Sequence, residues 1–242
     1  MPKTTNPVAK RSGASTNIIL TAIVLVVAVA VIGGVMYFGG GGTQQNDSDR
    51  VASSVLNPEG SNKVLDAGPD APTLVEFADY QCPGCHSYYN TVNTKIEEEY
   101  EGRINFVVRN FPLDMHPLAE PAARAAEAAA MQGEFTAMYH KLFDNYSSWA
   151  VREGQGVSDD KQRATEQFTT FAEQIGLDVE KFRQDMNSDQ VGQRIQQDRQ
   201  DGAEAGVGGT PTYFLNGEQI QFDKGSSPAE QLREKLDGAL AK

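Results

Sequence analysis

A chain of 242 residues, 39% of them hydrophobic and 22% charged, is long enough for one fair-sized domain and too short for a large multidomain assembly. Its formal charge of -12 argues against a nucleic-acid binder, which needs a basic footprint to neutralise phosphates. Two cysteines exclude a dense disulfide scaffold, and with three histidines they leave little material for a closed zinc site.

The first predicted element is a membrane span over residues 18–38. Of these, only Thr21, Gly33 and Gly34 fall outside the hydrophobic class, and none is charged. At about 1.5 Å per residue such a helix crosses a hydrocarbon core of roughly 30 Å. A buried soluble helix would normally carry a polar face, which this stretch lacks. Lys3, Lys10 and Arg11 precede the span, whereas Asp47, Asp49 and Arg50 follow it. The positive-inside rule therefore keeps tail 1–17 in the cytoplasm and exports the rest, as a single-pass protein of the cell membrane. The apolar run is too long for a cleaved signal peptide, so it reads as a retained signal anchor. Beyond Asn46 lie all 33 acidic residues and 18 of the 21 basic ones, a net charge of -15 on the exported side.

Residues 39–70 read as a flexible linker, Gly-rich at first and too poor in apolar side chains to fold, with the globular domain spanning 71–242. Thr73 to Phe77 predict a short, mostly buried strand, residues 82–100 a helix ending near Gly102, and Ile104 to Val108 a second strand. Strand, helix, strand in that order is a βαβ unit. Residues 118–131 hold eight alanines in fourteen positions, a strong helix signal with a close-packing face. Phe168, Phe171, Ala172 and Ile175 recur at helical spacing and read as core. Thr212 to Leu215 and Gln219 to Phe222 are two strands of a hairpin turned by Asn216-Gly217. The last helix opens with Ser227 as N-cap, Pro228 at its first position and Glu230 completing a capping box.

Both cysteines lie in Cys82-Pro83-Gly84-Cys85, after a strand and at the start of a helix. A helix N-terminus presents unpaired N–H groups and partial positive charge, which lower a thiol pKa and favour a thiolate at Cys82. Cys85, one turn on, can form or resolve a disulfide with it. Pro83 suits the first helical position, and Gly84 lets a partner chain approach closely. Two other readings stand beside this one: an inert staple, which a loop so small makes a poor stabiliser, and a metal site with His86, for which copper fits the ligand count better than zinc. Glu76, in the strand feeding the helix, reads either as a buried acid relaying protons for Cys85 or as an edge-strand residue without a role. Pro211, after Gly208-Gly209-Thr210 and before a buried strand, reads as a cis-proline candidate or as a plain strand-entry proline. His86 reads either as pointing away from the sulfurs or as influencing the thiol, His116 as a cap or packing residue, and His140 as partly exposed.

Val75-Glu76-Phe77, the Cys82 to Cys85 motif and Gly209-Thr210-Pro211-Thr212 together resemble the DsbA-like branch of the thioredoxin superfamily. The stretch Phe111-Pro112-Leu113-Asp114-Met115-His116-Pro117 and the alanine-rich helix after it resemble membrane-anchored bacterial members of that branch. The resemblance covers roughly residues 64 to 242. It implies an α/β thioredoxin fold whose βαβ and ββα halves are separated by a helical insertion over about 115–205. It further implies that Cys82 is the accessible sulfur, Cys85 its buried partner, Glu76 the buried acid and Pro211 the cis-proline, while Thr210 contacts bound peptide. The sequence departs from the best-known oxidase of the family, which has a histidine between its cysteines where this chain has Gly84. The implied function is an extracytoplasmic thiol-disulfide oxidoreductase of the thiol oxidase type, introducing disulfides into exported proteins through the Cys82/Cys85 pair and needing no cofactor or metal. Its partners would be reduced or unfolded exported proteins and a membrane quinone-linked reoxidase of DsbB or VKOR type. A reductase or isomerase, a copper-binding thioredoxin-like protein and a catalytically idle scaffold are the alternatives.

Overall fold

The computed structural model describes residues 50–242 apart from 153 and 155. The cytoplasmic tail, the membrane span and the first part of the linker expected above lie outside the described residues. Among those described, no helix is long and apolar enough to cross a membrane.

Strand β1 (Lys63–Leu65), β2 (Thr73–Ala78), β3 (Asn105–Asn110), β6 (Thr212–Leu215) and β7 (Glu218–Ile220) form one sheet in the order β1-β3-β2-β6-β7. β2 and β3 run parallel, with Thr73 opposite Asn105 and Ala78 opposite Asn110. The other pairings are antiparallel. The crossover between β2 and β3 is α2 (Pro83–Tyr88), a π-helical turn over Tyr89–Asn93, and α3 (Thr94–Tyr100). Gly102 follows at φ 68°, a left-handed position that ends the helix.

β2 and β3 are buried almost throughout, as strands of a sheet covered on both faces must be. Their side chains alternate between two cores. Leu74 and Ala78 join Phe106, Val108 and Ile96 in the larger one, whereas Val75, Phe77 and Val107 join Leu56, Val207 and Phe214 in the smaller. By the same two-residue period Glu76 faces the larger core.

The segment between β3 and β6 is α4 (Ala119–Ala130), α5 (Phe135–Asp144), α6 (Tyr146–Trp149), α7 (Lys161–Gln174), α8 (Val179–Met186) and α9 (Asp189–Glu204). A small ribbon of β4 (Val151–Arg152) and β5 (Gly156–Val157) interrupts it, which the sequence pattern did not signal. Ala122, Ala123, Ala125, Ala126, Ala128 and Ala129 are all buried, so α4 sits at the centre of the helical block. The chain closes with α10 (Pro228–Leu240), tied to α3 where the Tyr100 hydroxyl donates to Asp237 Oδ1 at 2.9 Å.

Three expectations change. The linker does not extend to residue 70: α1 (Ser53–Leu56) and β1 are parts of the fold. The reason is Arg109, fully buried on β3, whose Nη1 donates to the carbonyls of Val55 and Leu56, both at 2.8 Å. Its Nε reaches Asp198 at 2.8 Å and its Nη2 reaches Asp201 at 2.5 Å, so this one side chain joins α1, β3 and α9. Second, β7 ends at Ile220, although the turn before it has Asn216 and Gly217 at φ 50° and 91° as a type I′ turn requires. Third, Ser227 and Pro228 occupy the N-cap and first helical position, but the Ser227 side chain makes no capping hydrogen bond.

Candidate active site

β2 ends at Ala78, and four residues carry the chain into α2. Asp79 turns it: Oδ1 accepts the backbone N–H groups of Gln81 at 2.7 Å and Cys82 at 3.1 Å. Its Oδ2 accepts the N–H of Leu113 at 3.0 Å and lies 2.6 Å from His116 Nδ1. Gln81 is tied equally firmly, donating to the carbonyls of Ala150 at 2.9 Å and Ser158 at 2.7 Å and accepting from Leu118 N–H at 2.6 Å. The Tyr146 hydroxyl donates to the Gln81 carbonyl at 2.7 Å. The helical insertion thus clamps the backbone that presents the cysteines.

Cys82 is the N-cap of α2 and Pro83 follows at its first turn. Both cysteines are free thiols. Cys82 keeps 8% of its surface exposed and Cys85 none. The Cys85 thiol stabilises a Cys82 thiolate, and against the opposing effect of burial the backbone N–H groups of Cys85 and Gly84 and the Thr210 side chain add to it, bringing the Cys82 pKa down to about 5. The Thr210 hydroxyl is buried and has no hydrogen-bond partner, which leaves it free to turn to that sulfur. Cys85 is driven the opposite way, well above an ordinary thiol, first by burial and then by its hydrogen bond to Cys82 and the charge of Glu76. Two thiols with the same intrinsic chemistry are therefore split into a nucleophile and a protonated partner.

The Thr210–Pro211 peptide is cis, and Cys82 Sγ lies 3.6 Å from the Thr210 carbonyl oxygen. A Cβ placed on Gly84 would stand 3.4 Å from Cys82 Sγ and 3.6 Å from Pro211 Cδ, ordinary contact distances. The motif and Thr210-Pro211, 125 residues apart in sequence, form one surface.

Glu76 is completely buried, and burial pushes its carboxyl pKa up to about 8. Its Oε2 accepts from Asn93 Nδ2 at 2.8 Å, while Oε1 has no hydrogen-bond partner. Asn93 also donates to the Tyr139 hydroxyl at 3.0 Å and accepts from the Tyr213 hydroxyl at 2.7 Å.

A thioredoxin family model matches residues 68–238. The chain belongs to the thioredoxin family. Its fold is that of the DsbA-like members. The oxidised BdbD structure from Bacillus subtilis aligns with a TM-score of 0.62 at 19% identity, covering 80% of this chain and 97% of that one. The thiol-disulfide exchange protein alpha-DsbA2 from Wolbachia pipientis aligns with a TM-score of 0.59 at 21% identity, covering 77% of this chain and 90% of that one. In sequence the chain is 36% identical over 155 residues to a protein named Na(+)/H(+) antiporter NhaA 1 from Mycolicibacterium gilvum. That match takes in 62% of this chain but only 23% of the relative.

Within this thioredoxin-family site the structure brings Cys82, Pro83, Gly84, Cys85, Thr210 and Pro211 together, and sets Glu76 beneath them. Sequence reasoning missed Asp79, Gln81, Asn93 and Tyr146. Asp79 was legible in part, since an aspartate three residues before a helix N-cap is turn chemistry. The other three act through partners far along the chain. Of the histidines, His86 stacks on Tyr146 with ring centroids 4.2 Å apart, and its Nε2 hydrogen bonds with Asn90 rather than with a sulfur. His116 is neither cap nor filler but a partner of Asp79. His140 pairs with Glu97 at 3.1 Å. Among the described residues no group of three or more His, Cys, Asp or Glu is arranged to hold a metal ion.

Proposed function

We propose that this chain is an extracytoplasmic thiol-disulfide oxidoreductase that introduces disulfides into exported proteins through Cys82 and Cys85. The observation that carries the reading is the asymmetry of the pair: a largely buried but still accessible sulfur with its pKa near 5 beside a fully buried one held far above the ordinary value.

In the oxidised enzyme a client thiolate attacks Cys82 Sγ, the more accessible sulfur. The bond between Cys82 and Cys85 breaks, a client–Cys82 disulfide forms, and Cys85 leaves with the electron pair. Glu76, whose raised pKa keeps it protonated at neutral pH, supplies the proton that Cys85 takes. A second client thiol then attacks the mixed disulfide, and the client departs oxidised with Cys82 as a thiolate. Thr210 and Pro211 line the approach to Cys82, where an extended client segment would lie.

The same pKa supports the oxidising direction. Lowering Cys82 from 9 to about 5 stabilises the reduced enzyme at pH 7 by up to about 2.7 kcal/mol before solvent screening, or about 60 mV toward an oxidant. Reoxidation falls to a membrane quinone-linked partner of DsbB or VKOR type, which an N-terminal anchor at residues 18–38 would hold in the same bilayer. The test is oxidation of a reduced, unfolded client by the purified protein. Cys82→Ser abolishes it, and full activity in that variant would sink the assignment.

A further inference from the structure

Glu76 needs a route by which protons reach it, because every atom of its side chain is sealed from solvent. Asn93, its hydrogen-bond partner, closes the π-helical turn, and Glu97 stands four residues later on the same face of α3. Irregular turns of this kind recur at functional sites, because they re-aim the side chains on either side. Like Glu76 Oε1, Glu97 Oε1 is buried and has no hydrogen-bond partner, so each carboxylate keeps one oxygen on which a proton can rest. Glu97 Oε2 lies 3.1 Å from His140 Nε2 on α5, and that imidazole is one-third exposed. On its far side His140 Nδ1 lies 3.0 Å from the Tyr89 hydroxyl, which donates to Asp144 Oδ1 at 2.6 Å.

We propose that Glu97 and His140 form the proton route between solvent and Glu76, serving the exchange at Cys82 and Cys85. The proposal rests on the thiol-disulfide reading above. When Cys85 leaves as a thiolate, Glu76 gives its proton to Cys85 Sγ. His140 passes a proton to the Glu97 carboxylate and takes its replacement from water, and Glu97 then passes its proton to Glu76. One disulfide is exchanged for another, and one proton is taken up.

The surroundings fit a relay. Glu76 is faced by Cys82 and Cys85 from α2, Glu97 from α3, Tyr139 from α5 and Tyr213 from β6, and the tyrosines are held far above their ordinary pKa by burial. His140 is faced by Glu97, Tyr89 and Asp144. Burial opposes its charged form, but the Glu97 and Asp144 carboxylates together outweigh that and hold its pKa above the ordinary value.

The test uses Glu97→Gln and His140→Gln in the full-length protein, with the client-exchange step followed by stopped flow in water and in deuterium oxide. In both variants the Cys82 pKa and the redox potential of the pair stay at wild-type values. The step that protonates Cys85 slows by about tenfold or more, acquires a solvent isotope effect, and is restored in His140→Gln by added imidazole. Wild-type rates in both variants overturn the route, as does a slowing matched by a shifted potential. Absence of any exchange in the wild-type protein would instead refute the function on which the route rests.

Discussion

Cys85→Ala isolates the largest single contribution to the Cys82 thiolate. The Cys85 thiol is the foremost group holding the Cys82 pKa down to about 5, ahead of the backbone N–H groups of the helix terminus and the Thr210 side chain. A hydrogen bond to a charged group is worth roughly 1.5–3 kcal/mol, and about 1.36 kcal/mol is one pH unit, so its removal moves the Cys82 midpoint up by about one to two pH units. The pH dependence of iodoacetamide alkylation, checked by ultraviolet thiolate absorbance, measures that midpoint in a variant with a single thiol. The plateau rate at high pH rises at the same time, since thiolate nucleophilicity grows with basicity. Cys85→Ser keeps a donor and falls between the two. A midpoint in Cys85→Ala equal to that of the wild type would refute the reasoning, assigning the whole depression to the backbone. A wild-type midpoint at an ordinary thiol value would remove the asymmetry altogether.

Other outcomes follow from the same structure. Arg109→Met leaves Asp201 buried without its cation, leaves Asp198 with only the longer contact to Arg194, and frees the carbonyls of Val55 and Leu56, so chemical denaturation should show a loss of about 3–5 kcal/mol. Glu76 binds a proton more tightly folded, with its pKa near 8, than unfolded, with its pKa at 4.5. Its contribution is therefore fully present below pH 4.5 and is lost as pH rises through 8. That loss is at most about 5 kcal/mol, and Glu76→Gln should flatten the stability profile of the reduced protein across that window. Ser227→Ala, which at a bonded N-cap costs about 1 kcal/mol, should change thermal stability by less than about 0.5 kcal/mol, because the Ser227 hydroxyl caps nothing here.

What the sequence determined by itself was local chemistry. Alternation and apolar runs marked β2, β3 and β6 because a strand's side chains point to two faces whatever lies beyond them. Asn216-Gly217 marked the hairpin because few residues tolerate two successive positive φ angles. The Cys82 to Cys85 motif announced redox chemistry because helix position and cysteine spacing are both readable along the chain. What only the tertiary structure decided depends on groups distant in sequence. A hydrophilic stretch from Arg50 to Asp70 joins the fold because Arg109, on β3, needs carbonyls that α1 provides. Ser227 has the right identity and position for a cap, yet the hydroxyl's orientation left the bond unmade. His140 reads as a partly exposed helical residue until α5 packs against α3 and sets it on Glu97. Glu76 was visible as a carboxylate in a strand, but its pKa comes from burial beneath Asn93, Tyr139 and Tyr213, three residues that no spacing rule connects to it. The identity of the reactive sulfurs is thus written in one short motif, whereas the proton chemistry that serves them is assembled only when four separate elements close over one acid.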